Sequence, residues 1–455
     1  DFFLLGPLAF GLLLSLQIVA STKLVCYITN WAQYRPGAGK FTPDNVDPFL
    51  CTHVIFTLAT ITKDNQLTTV EWNDVEMYQS LNRLKNVNPA LKTLLSVGGW
   101  VNGVSPFIEM VSKPENREKF IASALSFLRT HEFDGMDLAW EFPGHNGSPP
   151  QDKQRFTALI NELKEAMAKE AVDTKKTPLL LSAKVAPLKS TVDIAYNVSA
   201  IASQLDFLSI MTYDYHGHWE SVTGHNSPLY PSSIDKGTHL LHNIDASVTY
   251  WLEQGAPADK LLMTFPTFGR TFHLTTSAQG LGVPTNGPAE AGPYTRDAGF
   301  WSYYEICSFI SDGTVGWIEE QKVPYAARGQ SWVGFDNQES FTAKAQWLTV
   351  KDLGGVSVWT LDFDDFGGTF CSEGDYPLVN HLRNSLGFPP KPTTTKAPTT
   401  TPDPITSFCV GRPDGLYPNP TDETTYFQCF RGNTYLHKCQ PGLIYQDSCK
   451  CCNWP

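Results

Sequence analysis

Short apolar runs recur along most of the chain, separated by polar and turn-forming segments. Residues 24–29, 53–59, 93–97, 135–140, 179–185, 207–211, 261–267 and 355–361 are rich in Val, Ile, Leu and Phe, the pattern of buried strands. Between them the spacing changes. Phe120, Ile121, Ala124, Leu125 and Leu128 recur three and four residues apart, as do Phe156, Leu159, Ile160, Leu163 and Met167. Each set falls on one face of a helix. Eight strands alternating with helices predict an α/β fold, a (β/α)8 TIM barrel over residues 22–388; a doubly wound open sheet is the rival architecture. The interval 271–336 is too long for one crossover and predicts a small α+β insertion forming one wall of a cleft. No internal repeat is present.

Composition narrows the ligand. Of 455 residues, 34 are Lys or Arg and 46 are Asp or Glu, a formal net charge of −12. An acidic surface repels phosphate, which argues against nucleic acids and anionic membrane surfaces as partners. Charged residues make up 18% and aromatics 12%, against roughly 25% charged in an average soluble domain. Such a surface suits a neutral ligand whose flat faces rings can cover, such as a carbohydrate.

Residues 2–20 are almost all apolar and long enough to span a bilayer. At the start of the chain, and followed by Ser21, they are expected to be a secretory signal peptide, residues 1–21. The mature protein is then expected to be secreted, extracellular and free of the membrane. The cysteines agree with export. Six of the 10, Cys409, Cys429, Cys439, Cys449, Cys451 and Cys452, crowd into residues 407–455. That density predicts a small disulfide-rich β module with three bridges, whose connectivity the spacing does not select. A zinc site there would need a reducing compartment. Cys26 is expected to pair with Cys51, and Cys307 with Cys371. Residues 389–406, rich in Thr and Pro, form a linker that neither helix nor sheet accommodates.

Candidate chemistry sits on the fourth strand, Phe133-Asp-Gly-Met-Asp-Leu-Ala-Trp-Glu-Phe-Pro-Gly144. Side chains alternate along a strand, so Asp137, Ala139 and Glu141 share a face. In a barrel that face points inward and places Glu141 at the C-terminal rim, where such barrels hold their active sites. Buried carboxylates in an apolar barrel are costly, which favours a functional reading. No metal site is indicated: His216 and His218 lack a companion Cys or carboxylate at ligand spacing. Asn146 and Asn197 head glycosylation sequons. The C-terminal module carries Tyr417, Tyr426, Phe427, Tyr435, Tyr445 and Trp454. It is too small to bury them all, and Trp454 is the foremost candidate to stack on a sugar.

With these residues in view, the chain resembles the family 18 glycoside hydrolases, specifically secreted animal chitinases that end in a peritrophin-type chitin-binding module. The matching blocks run the length of the chain. They include Leu24-Val-Cys-Tyr-Ile-Thr-Asn-Trp-Ala-Gln-Tyr-Arg35, Glu71-Trp-Asn-Asp74, Ser96-Val-Gly-Gly-Trp100, Met211-Thr-Tyr-Asp214, Val222-Thr-Gly-His-Asn-Ser-Pro-Leu-Tyr230 and Cys451-Cys-Asn-Trp454. The resemblance implies substrate-assisted retention, in which the acetamido oxygen of the sugar attacks its own anomeric carbon. It makes Glu141 the acid and base, with Asp137, Tyr213 and Asp214 as catalytic partners. Tyr213 would bond the acetamido carbonyl, and Trp359 would be the apolar floor. Tyr27, Trp31, Trp72, Trp100 and Trp219 would extend the cleft, with Arg270 as a polar contact and Glu71, Gly98, Gly99, Phe142 and Met211 from the same blocks lining it. Chitin and chito-oligosaccharides are the implied partners, no cofactor is needed, and a monomer is expected.

One position breaks the motif. The family has Asp-x-Asp-x-Glu, and here the middle residue is Ala139. That carboxylate orients the acetamido group and helps the acid hold its proton. Losing such a partner costs about 10²–10³ in turnover. Further departures are Leu58 for an aromatic, Val101 for Asn, Lys184 for a small residue, Phe268 for Tyr and Ser357 for Met. Three functions therefore compete: a slowed secreted endochitinase, a chitin-binding lectin, and a matrix protein that only the linker favours. The retained Glu141 favours the first, with Ala139→Asp expected to raise turnover about 10²-fold.

Overall fold

Eight parallel strands close a barrel in the computed structural model: β1 Lys23–Thr29, β2 His53–Ile61, β3 Lys92–Gly98, β4 Gly135–Ala139, β5 Leu180–Val185, β6 Phe207–Ile210, β7 Leu261–Pro266 and β8 Gly355–Trp359. Each pairs with its neighbour in sequence, and β1 also pairs with β8. The ring is closed, which excludes the open sheet. The described residues are 22–392 and 408–454, except 410, 411, 421, 431, 432 and 441. The expected signal peptide and most of the expected linker lie outside them. Among the described residues no helix is long and apolar enough to cross a membrane.

Helices such as Pro114–Thr130 and Asp152–Thr174 follow the strands, and Phe120, Ala124, Leu128, Phe156, Ile160 and Leu163 are buried as their spacing requires. Between β1 and β2 only short 3-10 turns occur. Inside the barrel the side chains form layers. Val25, Ile55, Leu94, Phe207 and Leu262 make an apolar plug. A polar belt joins it: Asp137 accepts from Ser182 Oγ (2.7 Å), Ser96 Oγ (2.9 Å) and Tyr27 OH (3.4 Å), and Thr264 Oγ1 lies 2.7 Å from Ser357 Oγ. Four strands end one or two residues earlier than their runs, because Trp140, Met211, Thr267 and Leu361 belong to the segments that follow.

The insertion is a five-stranded antiparallel sheet of Phe268–His273, Phe300–Ser302, Thr314–Ile318, Val323–Arg328 and Ser331–Gly334, with a helix at Tyr303–Ile310. It begins at Phe268 and not at 271, since the chain leaving β7 runs almost directly into this sheet. Cys26 pairs with Cys51 and Cys307 with Cys371, as expected. Of the two sequons, Asn146 is exposed, whereas the Asn197 amide donates to Gln154 Oε1 (2.7 Å) and Thr157 Oγ1 (3.1 Å).

A fully buried imidazole ties the insertion to the barrel. His225 Nδ1 accepts from the Ser227 N–H (2.9 Å), and its Nε2 lies 2.7 Å from Phe335 O and 3.1 Å from Pro324 O. The fold therefore uses the neutral Nε2–H form. Burial, reinforced by the Lys344 ammonium, pushes this group down from 6.5 to about 3. The unfolded chain takes up a proton there below pH 6.5 that the fold refuses. The stability contributed by neutral His225 is complete above pH 6.5 and is lost as pH falls towards 3. His225→Asn should destabilise the protein more at pH 7 than at pH 4, the gap closing by up to about 1.4 kcal/mol per pH unit. Urea unfolding across that range measures it, and a pH-independent gap would refute it.

The second compact unit follows Pro390. Its strands Gly415–Pro418, Thr425–Phe430 and Asn433–Lys438 form one antiparallel sheet, and Ile444–Gln446 pairs with Cys451–Asn453. The bridges are Cys409–Cys429, Cys439–Cys452 and Cys449–Cys451. Phe427 and Tyr445 are buried, while Tyr435 and Trp454 are 48% and 71% exposed.

Candidate active site

The C-terminal ends of the strands open into a cleft of about 600 Å³, whose lining includes Trp31, Leu58, Gly99, Trp100, Val101, Glu141, Lys184, Met211, Tyr213, Asp214, His218, Trp219, Arg270 and Trp359. A cavity of about 370 Å³ shares Trp31, Val101, Arg270 and Trp359 and adds Tyr34, Arg35, Tyr294 and Phe300 among others. Strand alternation explains the assembly. Asp137 and Ala139 on β4, and Ser182 and Lys184 on β5, all face inward, so the last of each pair reaches the rim while the first stays in the polar belt. Glu141 follows β4, Met211 follows β6, and Trp359 ends β8. The cis peptide bonds Thr57–Leu58, Glu141–Phe142 and Trp359–Thr360 each include a residue that lines the cleft.

Two ion pairs occupy the bottom. Lys184 Nζ lies 2.8 Å from Glu141 Oε1, with the two side chains only 5% and 8% exposed. The same ammonium stands over the Trp359 ring, 4.2 Å from its centroid. Arg270 grips Asp214 with two parallel bonds, Nε to Oδ1 (2.7 Å) and Nη2 to Oδ2 (2.9 Å). That backbone is in turn held by the Asp214 N–H donating to Asn226 Oδ1 at 3.0 Å. Burial, and then the Glu141 and Asp214 charges, push the Tyr213 phenol well above its ordinary value, which keeps it a hydrogen-bond donor. Burial also raises Asp137, against the bonds it accepts from Ser182 and Ser96.

Sequence reasoning placed Trp31, Gly99, Trp100, Glu141, Met211, Tyr213, Asp214, Trp219, Arg270 and Trp359 in the site, and all line the cleft. Trp100 and Trp219 are 74% and 54% exposed, open enough to serve as stacking surfaces. Other expected residues stand elsewhere. Tyr27 is buried beneath Trp359, with ring centroids 5.3 Å apart and its hydroxyl on Asp137; it faces inward one layer below the cleft lining. Gly98 ends β3 where any Cβ would meet Phe107 and the Ala139 carbonyl, so it provides clearance without lining the cleft. Phe142 packs against the core. Trp72 is exposed outside the main cleft, and Glu71 accepts a 2.6 Å bond from Tyr34, which lines the adjoining cavity. Trp454 belongs to the second unit.

The departures from the family pattern divide by depth. Leu58, Val101 and Lys184 form the cleft surface. Phe268 is buried behind Tyr213 at 5.6 Å, and Ser357 belongs to the polar belt. Thr57 and His218 also line the cleft and had no signal beyond their neighbours in sequence. His216 does have a carboxylate partner, Glu220 Oε2 at 2.8 Å, four residues on. Among the described residues, no group of three or more His, Cys, Asp or Glu is arranged to hold a metal.

Two family models match the chain: the glycosyl hydrolases family 18 over residues 23–364, and the chitin binding peritrophin-A domain over 409–455. Chitotriosidase-1 of Mus musculus is 50% identical, covering 97% of each chain. Among solved structures, human YKL-39, a pseudo-chitinase with retained chitooligosaccharide binding, superposes with a TM-score of 0.78 at 42% identity, over 80% of this chain and 100% of that one. TsES1, an immunomodulatory active chitinase from Trichuris suis, gives 0.78 at 39% identity over the same shares.

Proposed function

The chain belongs to glycosyl hydrolase family 18 and ends in a peritrophin-A chitin-binding domain, and from that premise we propose that it is a secreted chitin-binding protein whose barrel cleft holds chito-oligosaccharides without cutting them. The observation that carries this reading is the buried contact between Lys184 Nζ and Glu141 Oε1. Substrate-assisted retention needs a carboxylic acid that hands its proton to the leaving oxygen. Here the Lys184 ammonium takes up the carboxyl oxygen that would face the leaving group. Ala139 removes the second requirement, a carboxylate that steers the acetamido group. The chemistry loses its acid and its orienting partner together, so a slowed chitinase, which Ala139 alone would allow, is the less supported reading.

Binding needs neither. Trp31, Trp100 and Trp219 provide apolar faces for pyranose rings. The Arg270–Asp214 pair offers polar edges. In the C-terminal module the exposed Tyr435 and Trp454 rings suit stacking on a chitin chain. Export is supported by five disulfides among the described residues.

The test compares the purified chain with its Glu141→Gln variant on a fluorogenic chitobioside, alongside retention on chitin beads. Wild type should release no more fluorophore than the variant while both stay on the beads. Release clearly above the variant's level means that the cleft is catalytic.

A further inference from the structure

Lys184 bears on the ligand as well as on the acid. Its ammonium stands 4.2 Å above the Trp359 ring, on the floor assigned above to the central sugar. Carbon atoms in van der Waals contact lie about 3.5–4.0 Å apart, so a pyranose stacked on that face would need the space that Nζ occupies. The lysine is not a loose obstruction. Glu141 holds it from one side and the indole face attracts it from another, and it is 5% exposed. Pushing it aside would strand a buried carboxylate without its partner, which is costly.

We infer that Lys184 is a built-in occupant of the central sugar position, so that a chito-oligosaccharide in this cleft leaves Trp359 uncovered and is held by the flanking rings and polar edges. This rests on the reading of the cleft as a chito-oligosaccharide site. Lys184 then sets ligand register: lengthening the ligand beyond one flank adds no affinity, because the path through the centre is closed. In a cleft with an open floor, each added sugar would find a surface.

Indole N–H signals of the full-length protein follow this directly, with Trp359 assigned by Trp359→Phe. In wild type, chitotetraose should shift the Trp31, Trp100 or Trp219 signals and leave Trp359 unmoved. Lys184→Ala, or Lys184→Met if the smaller residue unfolds the barrel, should bring Trp359 into the response. It should also tighten chitohexaose binding in the cleft by about tenfold relative to chitotriose. A Trp359 signal that moves with the others in wild type shows that sugar displaces the lysine, and the inference falls while the binding reading stands. Unchanged affinities in both Lys184 variants overturn it equally. If no cleft tryptophan responds to any oligosaccharide, the binding reading fails and takes the inference with it.

Discussion

Ala139→Asp and Lys184→Ala combined should bring product release from a chito-oligosaccharide to about 10²-fold or more above the Glu141→Gln background, while wild type and each single variant stay near that background. Asp at 139 without the second change sits on the inward face beside a buried ammonium. It would become another partner for Lys184, and Glu141 would stay in its ion pair. Removing the lysine alone frees Glu141 and the floor over Trp359 but leaves a methyl group where the acetamido N–H needs an acceptor. The two losses act on one reaction step, so their repair should be strongly non-additive. The gain should appear mainly in kcat, because both carboxylates act on charge that develops during the reaction. Initial rates of the four proteins on one substrate decide the matter. If Ala139→Asp alone recovers the full gain, Lys184 is not the block.

Truncation after Phe388 should leave a folded barrel that has lost most of its retention on insoluble chitin, by more than about tenfold. The barrel has its own core and its own two disulfides, Cys26–Cys51 and Cys307–Cys371. The second unit is closed by three bridges of its own. Each is therefore expected to fold without the other. What the linker supplies is a raised local concentration of one chitin-binding surface once the other is bound. Trp454→Ala in the intact chain should reproduce much of the loss, since that ring is 71% exposed, the most of the module's aromatics among the described residues. Equal recovery of full-length and truncated protein from chitin beads would refute the prediction.

Much of this molecule is legible in its sequence. Eight apolar runs became eight strands, and Phe120 to Leu128 became a helix face, because period and alternation are properties of a few consecutive residues. The same alternation put Asp137, Ala139 and Glu141 on one side of β4. Crowded cysteines marked the second unit. Pattern could not assign depth. Tyr27 was expected on the cleft and lies one layer below it, because alternation gives the face of a strand but not how far up the barrel a side chain ends. Nor could pattern assign partners. Lys184 was visible only as an unusual residue, and Glu141 as a retained acid. Their 2.8 Å contact exists because β4 and β5 pair side by side and the closed barrel turns their inward residues away from water, where opposite charges have little solvent to turn to and bond to each other. The local sequence determined which way each side chain faces. Only strand pairing within the barrel decided which charge it meets there.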